Sequence, residues 1–320
     1  MTIELISVPV DSEPIDLAVN VGAFALANPV MPASGCFGPE VGPLLGRSLP
    51  GAVVTKTVFA QERAGNRASR LTETQYGMLN SVGIPSPGSP KFIREILPRY
   101  QAFGLPVIVS IGGLFTEEYF TIADDLAGED IQAFEVNVSC PNLEHGGLAI
   151  GTSPEHVHRV VSGIRERLAG PISVKLTPTI SSIAEVALAA EAAGADSLVV
   201  ANSFSGLAID IFTRMSVLGN GAGGYTGPAI KPLALKLVQD ASKAVSIPVI
   251  GCGGITTAED VAEFMIAGAA AVQVGTATFT RPSAMNDIIN DLPAVCRLLG
   301  VTRVGELIGT LDTTKFREVE

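Results

Sequence analysis

No stretch of this 320-residue chain approaches the roughly 18 consecutive apolar residues that a bilayer span requires. The segment from Met1 to Pro9 carries Glu4 where a secretory leader would carry basic residues, so the expected location is the cytoplasm. Basic charge is scarce as well. Against 32 Asp and Glu stand 21 Lys and Arg, a net charge of -11, and the cations are scattered rather than gathered into a stripe. That balance argues against a nucleic-acid surface. The four cysteines, Cys36, Cys140, Cys252 and Cys296, lie far apart with no paired spacing. Neither a disulfide framework nor a zinc or iron-sulfur pattern is expected, and no metal site follows; the thiols read as free. There is also no Rossmann glycine fingerprint for NAD.

What is present is alternation. With 47% hydrophobic residues the chain can bury one large core. Short Val/Ile/Ala-rich runs alternate with helix-length amphipathic segments, the pattern of βαβ units with buried parallel strands. Eight strands are expected, near Pro29-Ala33, Ala52-Lys56, Val107-Ile111, Ala133-Val138, Ile172-Leu176, Ser197-Ala201, Pro248-Gly251 and Ala271-Val274. Helices are expected near Pro90-Phe103, Pro154-Ala169, Ser181-Ala193, Lys231-Val245 and Thr257-Ala267. Eight such units imply an α/β fold of the (β/α)8 TIM-barrel type, a single domain over residues 1–320. A hairpin over Leu17-Ala27 could plug its N-terminal mouth. The longest irregular stretches, Thr57 to Ser89, Ser139 to Ser153 and Asn202 to Pro228, follow strands two, four and six. They would therefore share the C-terminal face, where barrels of this kind build their active sites.

Polar residues at those strand ends are the candidates for chemistry. In Asn137-Val-Ser-Cys-Pro-Asn142 a thiol follows an apolar strand, and Pro141 biases Cys140 away from the helical region, onto a turn that can face a ligand. The plain alternative is a small buried hydrophobe. Lys56 and Lys175 place ammonium groups in strands that should be buried on both faces, with Glu135 the only acidic residue inside those strands. A ligand-directed role competes with snorkelling or with a carboxylate pair. Two glycine-rich turns, Gly251-Cys-Gly-Gly254 after strand seven and Gly275-Thr276 after strand eight, fit the phosphate site that barrels place there. A flavin mononucleotide or a sugar phosphate would suit it. Finally Asn80, Asn137, Asn142 and Asn202 lie at or after strand ends; a ring of carboxamides matches a planar imide or a carboxylate without adding charge.

These segments, with Asn28-Pro-Val-Met-Pro-Ala-Ser-Gly-Cys-Phe-Gly38, Gly77-Met-Leu-Asn80, Gly223-Gly-Tyr-Thr-Gly-Pro-Ala-Ile-Lys-Pro232 and Val272-Gln-Val-Gly-Thr276, resemble the class 1 dihydroorotate dehydrogenases. They stand closest to the catalytic subunits of the NAD-dependent two-subunit (1B) form, over about Leu17 to Leu299. The resemblance implies an FMN-containing barrel that oxidises dihydroorotate to orotate in pyrimidine (UMP) synthesis. It implies Cys140 as the base that takes the C5 proton, with Lys56 and Lys175 beside the flavin. Ser34, Lys56, Thr57, Asn137, Lys175, Ala201, Gly227, Gly253, Gly254, Gly275 and Thr276 match FMN-contacting positions. Lys56, Asn80, Ser81, Val82, Gly83, Ile84, Asn137, Asn142, Asn202 and Ser203 match the substrate pocket.

Ser110 stands where the family usually has Asn, which leaves an FMN contact there open, and Thr57 to Ser69 and Ile84 to Gly88 are atypical. The onward electrons imply a partner subunit with FAD and a [2Fe-2S] cluster, in a homodimer or heterotetramer, or else fumarate as in the 1A form. Rivals are a dihydropyrimidine dehydrogenase-like FMN barrel and a non-redox, phosphate-binding barrel isomerase.

Overall fold

The computed structural model describes residues 14–44, 46–139 and 150–314. Its centre is an eight-stranded parallel sheet built from Val30–Pro32, Val53–Val54, Val107–Ile111, Ala133–Asn137, Ile172–Lys175, Ser197–Val200, Val249–Cys252 and Ala269–Val274, called strands one to eight. Continuous apolar runs such as Ser197-Leu-Val-Val200 do not alternate because both faces are covered, and every position of strands three to eight is buried. Strand one pairs with eight, eight with seven, and the order runs on round to two. The Gly51 N–H donates to the Val30 carbonyl at 2.8 Å, so strands one and two meet and the cylinder closes. Helices lie where expected at Pro154–Arg165, Ile183–Ala192, Lys231–Ala244 and Ala258–Ile266, and Thr116–Leu126 and Ala284–Leu298 add two for which no range was expected.

The interval after strand two departs from a simple helix. Between Ser89–Lys91 and Leu97–Gln101 the turn Phe92–Ile96 is π-helical, and the Leu97 N–H reaches back five residues to Phe92 O. Pro98 follows directly; it has no N–H to give, and the widened turn accommodates its ring. Near the N-terminus, Val19–Val21 and Phe24–Leu26 form the expected antiparallel hairpin. A Cβ on Gly22 at its turn would lie 3.2 Å from the carbonyl of Asp196, the residue before strand six. The hairpin therefore packs at the strands' N-terminal ends, with Val19, Val21 and Leu26 buried.

Two of the three stretches expected to be irregular are not. Leu71–Thr74, Gly77–Asn80, Gly223–Thr226 and Phe204–Gly206 form a four-stranded antiparallel sheet that joins the connection after strand two to the one after strand six. Two of its pairings are local, but Asn80 pairs with Gly224 across 144 positions, and no local pattern reveals that junction. Beyond this sheet the pair Ile209–Asp210 and Met215–Ser216 carries an exposed apolar tip, with Ile211, Phe212 and Met215 open to solvent. Residues 140–149 of the third stretch lie outside the described residues; its end forms the 3-10 turn Ile150–Thr152. No helix among the described residues is long and apolar enough to cross a membrane.

Candidate active site

At the C-terminal face the strand ends surround one cavity, and the position of each lining side chain follows from where its strand stops. Lys56 and Thr57 follow strand two, Asn137 ends strand four, Lys175 ends strand five, and Ala201, Asn202 and Ser203 follow strand six. Strand one delivers Ser34 through the turn after Pro32. Asn80 ends a strand of the added sheet, and Ser81 through Ile84 continue from it along the cavity wall. Gly227, Gly253, Gly254, Gly275 and Thr276 line the other end. Every site residue expected from the sequence that falls within the described residues lines this cavity. Cys140 and Asn142 lie outside the described residues.

Beneath the cavity runs a chain of hydrogen bonds. Thr57 Oγ1 pairs with Ser34 Oγ at 3.2 Å and Ser110 Oγ at 3.0 Å, and Asn137 Nδ2 donates to it at 3.2 Å. Asn137 Oδ1 accepts from Ser139 Oγ at 2.8 Å, and Asn202 Nδ2 donates to that same hydroxyl. Two of the four predicted carboxamides are thus held rigidly through Ser139, while Asn80 Nδ2 is turned to Gly224 O at 3.2 Å across the added sheet. Ser110 is fully buried behind Thr57 and is absent from the cavity wall. Its hydroxyl pairs with Thr57 Oγ1.

The glycine end has the features of an anion cradle. Among the described residues no hydrogen bond engages the backbone N–H groups of Gly253, Gly254, Gly275 or Thr276. Gly254 has φ +80, and a Cβ there would stand 2.8 Å from the Lys231 backbone nitrogen. Only glycine permits that close, left-handed turn. Just beyond it, Asp260 caps Ala258–Ile266: its Oδ2 accepts from the N–H of Thr256 and Thr257 at 2.7 and 3.0 Å, and Thr257 caps in return.

The two lysines differ in their surroundings. Lys175 is buried and donates to Gln273 Oε1 at 2.8 Å, with Glu135 Oε1 4.0 Å away. Burial alone would lower its affinity for a proton, but the Glu135 carboxylate and the Cys252 and Cys36 thiols behind it raise its pKa above the usual lysine value. Lys175 thus reaches a carboxylate through an amide while also lining the cavity. Lys56 is half-buried and makes no ion pair among the described residues. Burial, then the nearby Arg70 guanidinium, push its pKa down. Burial also drives the Cys36 thiol up to about 12 and raises Cys252. Both thiols line the cavity but are protonated near neutrality.

Sequence reading passed over Gln273, Ser139, Cys36 and Cys252. The signal was available for Gln273, a carboxamide inside Ala269-Ala-Ala-Val-Gln-Val274, and for Ser139 between two asparagines. For the thiols no local pattern distinguishes a cavity wall from a core. Taken together, the site can receive an anion on unspent backbone donors at one end, a planar polar group over Thr57, Asn137 and Lys175, and a small amide- or carboxylate-bearing molecule beside Asn80 and Asn202.

A family model described as dihydroorotate dehydrogenase matches residues 16–296. A protein of Geobacillus kaustophilus is 44% identical over 296 residues, covering 92% of this chain and 95% of its own length. Proteins of Geotalea uraniireducens and Desulforudis audaxviator are also 44% identical, over 301 and 303 residues, each covering 99% of its own length. All three are named dihydroorotate dehydrogenase B (NAD(+)), catalytic subunit. With the family model spanning most of the chain and these relatives aligned along nearly all of it, the chain belongs to the dihydroorotate dehydrogenase family.

Proposed function

We propose that this chain oxidises dihydroorotate to orotate, with FMN held non-covalently in the cavity. The observation that carries the reading is the meeting of the anion cradle, the Lys175 ammonium and the asparagines around one cavity. FMN fits the cradle: its phosphate would take the free N–H groups of Gly253, Gly254, Gly275 and Thr276, and at Gly253 and Gly254 a side chain would not fit. Ser34, Thr57, Asn137, Ala201 and Gly227 would bound the ring, and Lys175 would set a positive charge against its polar edge. Bound FMN would supply the acceptor for the hydride that leaves the substrate.

The remaining work belongs to the protein's own side chains. Asn80, Asn137, Asn142 and Asn202, with Ser203 and the Ser81-Val-Gly-Ile84 wall, would orient the substrate's amide and carboxylate groups without adding charge. Lys56, between the two ligands, would pair with the carboxylate. Cys140 would take the C5 proton. At an unperturbed pKa of about 8.5 only a few per cent of a thiol is ionised at neutral pH, so its rate should rise with pH until the thiolate is complete.

An oxidant must then relieve the reduced cofactor. The three relatives are named as catalytic subunits, which supports a partner subunit, carrying FAD and [2Fe-2S] and passing electrons to NAD, over fumarate. The exposed apolar tip around Phe212 supports an assembly, homodimer or heterotetramer, over a lone chain. The cytoplasm is the location that fits. A spectrum of the purified chain tests the core of the reading: absorbance at about 450 nm, bleached anaerobically by dihydroorotate, is expected. A colourless protein that takes up no added FMN would overturn it, and rapid turnover with fumarate alone would overturn the partner.

A further inference from the structure

Three polar side chains on three different strands meet inside the barrel, below the cavity floor. Glu135 of strand four is 0% exposed, Gln273 of strand eight 1% and Lys175 of strand five 4%; the residues on either side of Gln273 and Lys175 are Val272, Val274, Val174 and Leu176 of a packed core. Gln273 bridges the other two, accepting from Lys175 Nζ at 2.8 Å and donating to Glu135 Oε2 at 2.6 Å. Its orientation is forced by its partners, since an ammonium has nothing to accept with and a carboxylate nothing to donate. Lys175 and Glu135 do not touch: 4.0 Å separates Nζ from Oε1, and Oε1 has no hydrogen-bond partner. Only Lys175 reaches the cavity wall.

An isolated buried charge costs several kcal/mol, and a directly bonded pair would present a ligand with little net field. The amide spacer gives a different arrangement. It leaves the positive end at the cavity and the negative end a layer below. Among the described residues the titratable groups acting on Lys175 are Glu135, Cys252 and Cys36. Lys56 shares the cavity wall from the end of strand two and acts on Cys36. The two thiols are held protonated by burial, which leaves Glu135 as the charge that keeps Lys175 an ammonium.

We propose that Glu135 is a positioning residue of the redox site: acting through Gln273, it holds Lys175 as a fixed ammonium facing the flavin. This rests on the flavin reading above. A permanent cation at the ring favours the reduced, more negative cofactor, so the pair would raise and steady the flavin's midpoint potential.

The test is the midpoint potential of the bound flavin against pH, from about pH 6 to pH 9, below the ordinary lysine value. It is run on the FMN-loaded protein, on Glu135→Gln, Glu135→Asp, Gln273→Met and Lys175→Met, and on the double variant Glu135→Gln/Lys175→Met. The unsubstituted protein should show no lysine break. In Glu135→Gln burial takes over, Lys175 loses its proton within the range, and the potential bends down toward that of Lys175→Met. Each pKa unit lost lowers the pH of the bend by one unit, a tenfold change in proton affinity. Gln273→Met, which removes the bridging amide but leaves the carboxylate 4.0 Å away, should bend in the same direction at a higher pH, and Glu135→Asp, which keeps the charge, should restore the flat profile at least in part. In the double variant the bend should vanish, because Glu135 acts only through Lys175. A Glu135→Gln profile parallel to the parent, or a bend that survives in the double variant, would overturn the proposal. Should Glu135→Gln not fold, Gln273→Met decides alone. A chain that binds FMN and is bleached by dihydroorotate yet keeps a parallel profile refutes the relay only. One that never binds FMN refutes the functional reading itself.

Discussion

Lys56 and Lys175 are the same residue at two strand ends, and their surroundings drive them in opposite directions. Burial and Arg70 lower the Lys56 pKa, while the Glu135 carboxylate opposes burial at Lys175 and its pKa is raised. A lowered pKa means that the native state binds fewer protons than the unfolded chain in the window just below 10.5, so its penalty is full at neutral pH and fades as pH rises through that window. Lys56→Met should therefore stabilise the FMN-free protein at pH 7 by roughly 0.5–2 kcal/mol, with the gain shrinking toward pH 10, while it weakens orotate binding. Thermal unfolding of both proteins against pH reads this, and a destabilised variant would show that Lys56 has a partner in the fold. At Cys140 the expectation concerns rate. Cys140→Ala should keep FMN and orotate but slow flavin reduction by about 10²–10⁴-fold, with Cys140→Ser in between. Stopped-flow bleaching near the parent rate in the alanine variant would remove Cys140 from the role of base.

Elements impose constraints that single residues do not show. The helix Ala258–Ile266 begins where the glycine cradle ends, and Asp260 ties the two together through Thr256, Thr257 and Lys231, whose Nζ is 2.6 Å away. Although burial alone would raise it, these bonds hold the Asp260 carboxyl below its ordinary 3.8. Its stabilisation is thus present above that value and lost as pH falls through the lower native pKa. Asp260→Asn should cost about 1–2 kcal/mol at pH 7, with the difference from the parent closing below pH 4. A gap that persists in acid would assign the loss to packing. In Pro154–Arg165, Gly163 illustrates how a neighbour reverses a propensity. Alanine for glycine within a helix normally gains about 0.5–1 kcal/mol. Here the new Cβ would stand 2.2 Å from the Phe120 ring, which the Arg167 guanidinium covers from 4.4 Å. Overpacking of about 1–3 kcal/mol should prevail, and denaturant midpoints for Gly163→Ala show its sign. A more stable variant would mean the ring moves freely.

For the whole molecule, a ligand seated on seven strand ends binds the closed barrel and not the unfolded chain. FMN at a hundred times its dissociation constant should raise the unfolding free energy by about 2.7 kcal/mol, visible as a concentration-dependent melting temperature. A midpoint indifferent to FMN would place the cofactor elsewhere. The same scale separates what could be read in one dimension. Eight apolar runs without alternation, such as Val107-Ile-Val-Ser-Ile111, already require burial on both faces, and with amphipathic helices between them the barrel follows. The site residues were legible because strand ends in such a barrel share one face, so Lys56, Asn137, Lys175, Asn202 and Gly253 had to be neighbours once the count was eight.

What the chain order determined by itself was local: which segments are buried, where they stop, and which polar groups stand at the stops. Tertiary structure alone decided the partnerships. Gln273 bonds Glu135 across 138 positions and Lys175 across 98, and Leu71–Asn80 shares a sheet with Phe204–Thr226. The physical reason is that hydrophobic periodicity records whether a residue is covered but not by what. The identity of a buried ion's partner depends on register around a closed cylinder, which exists only after all eight strands have met.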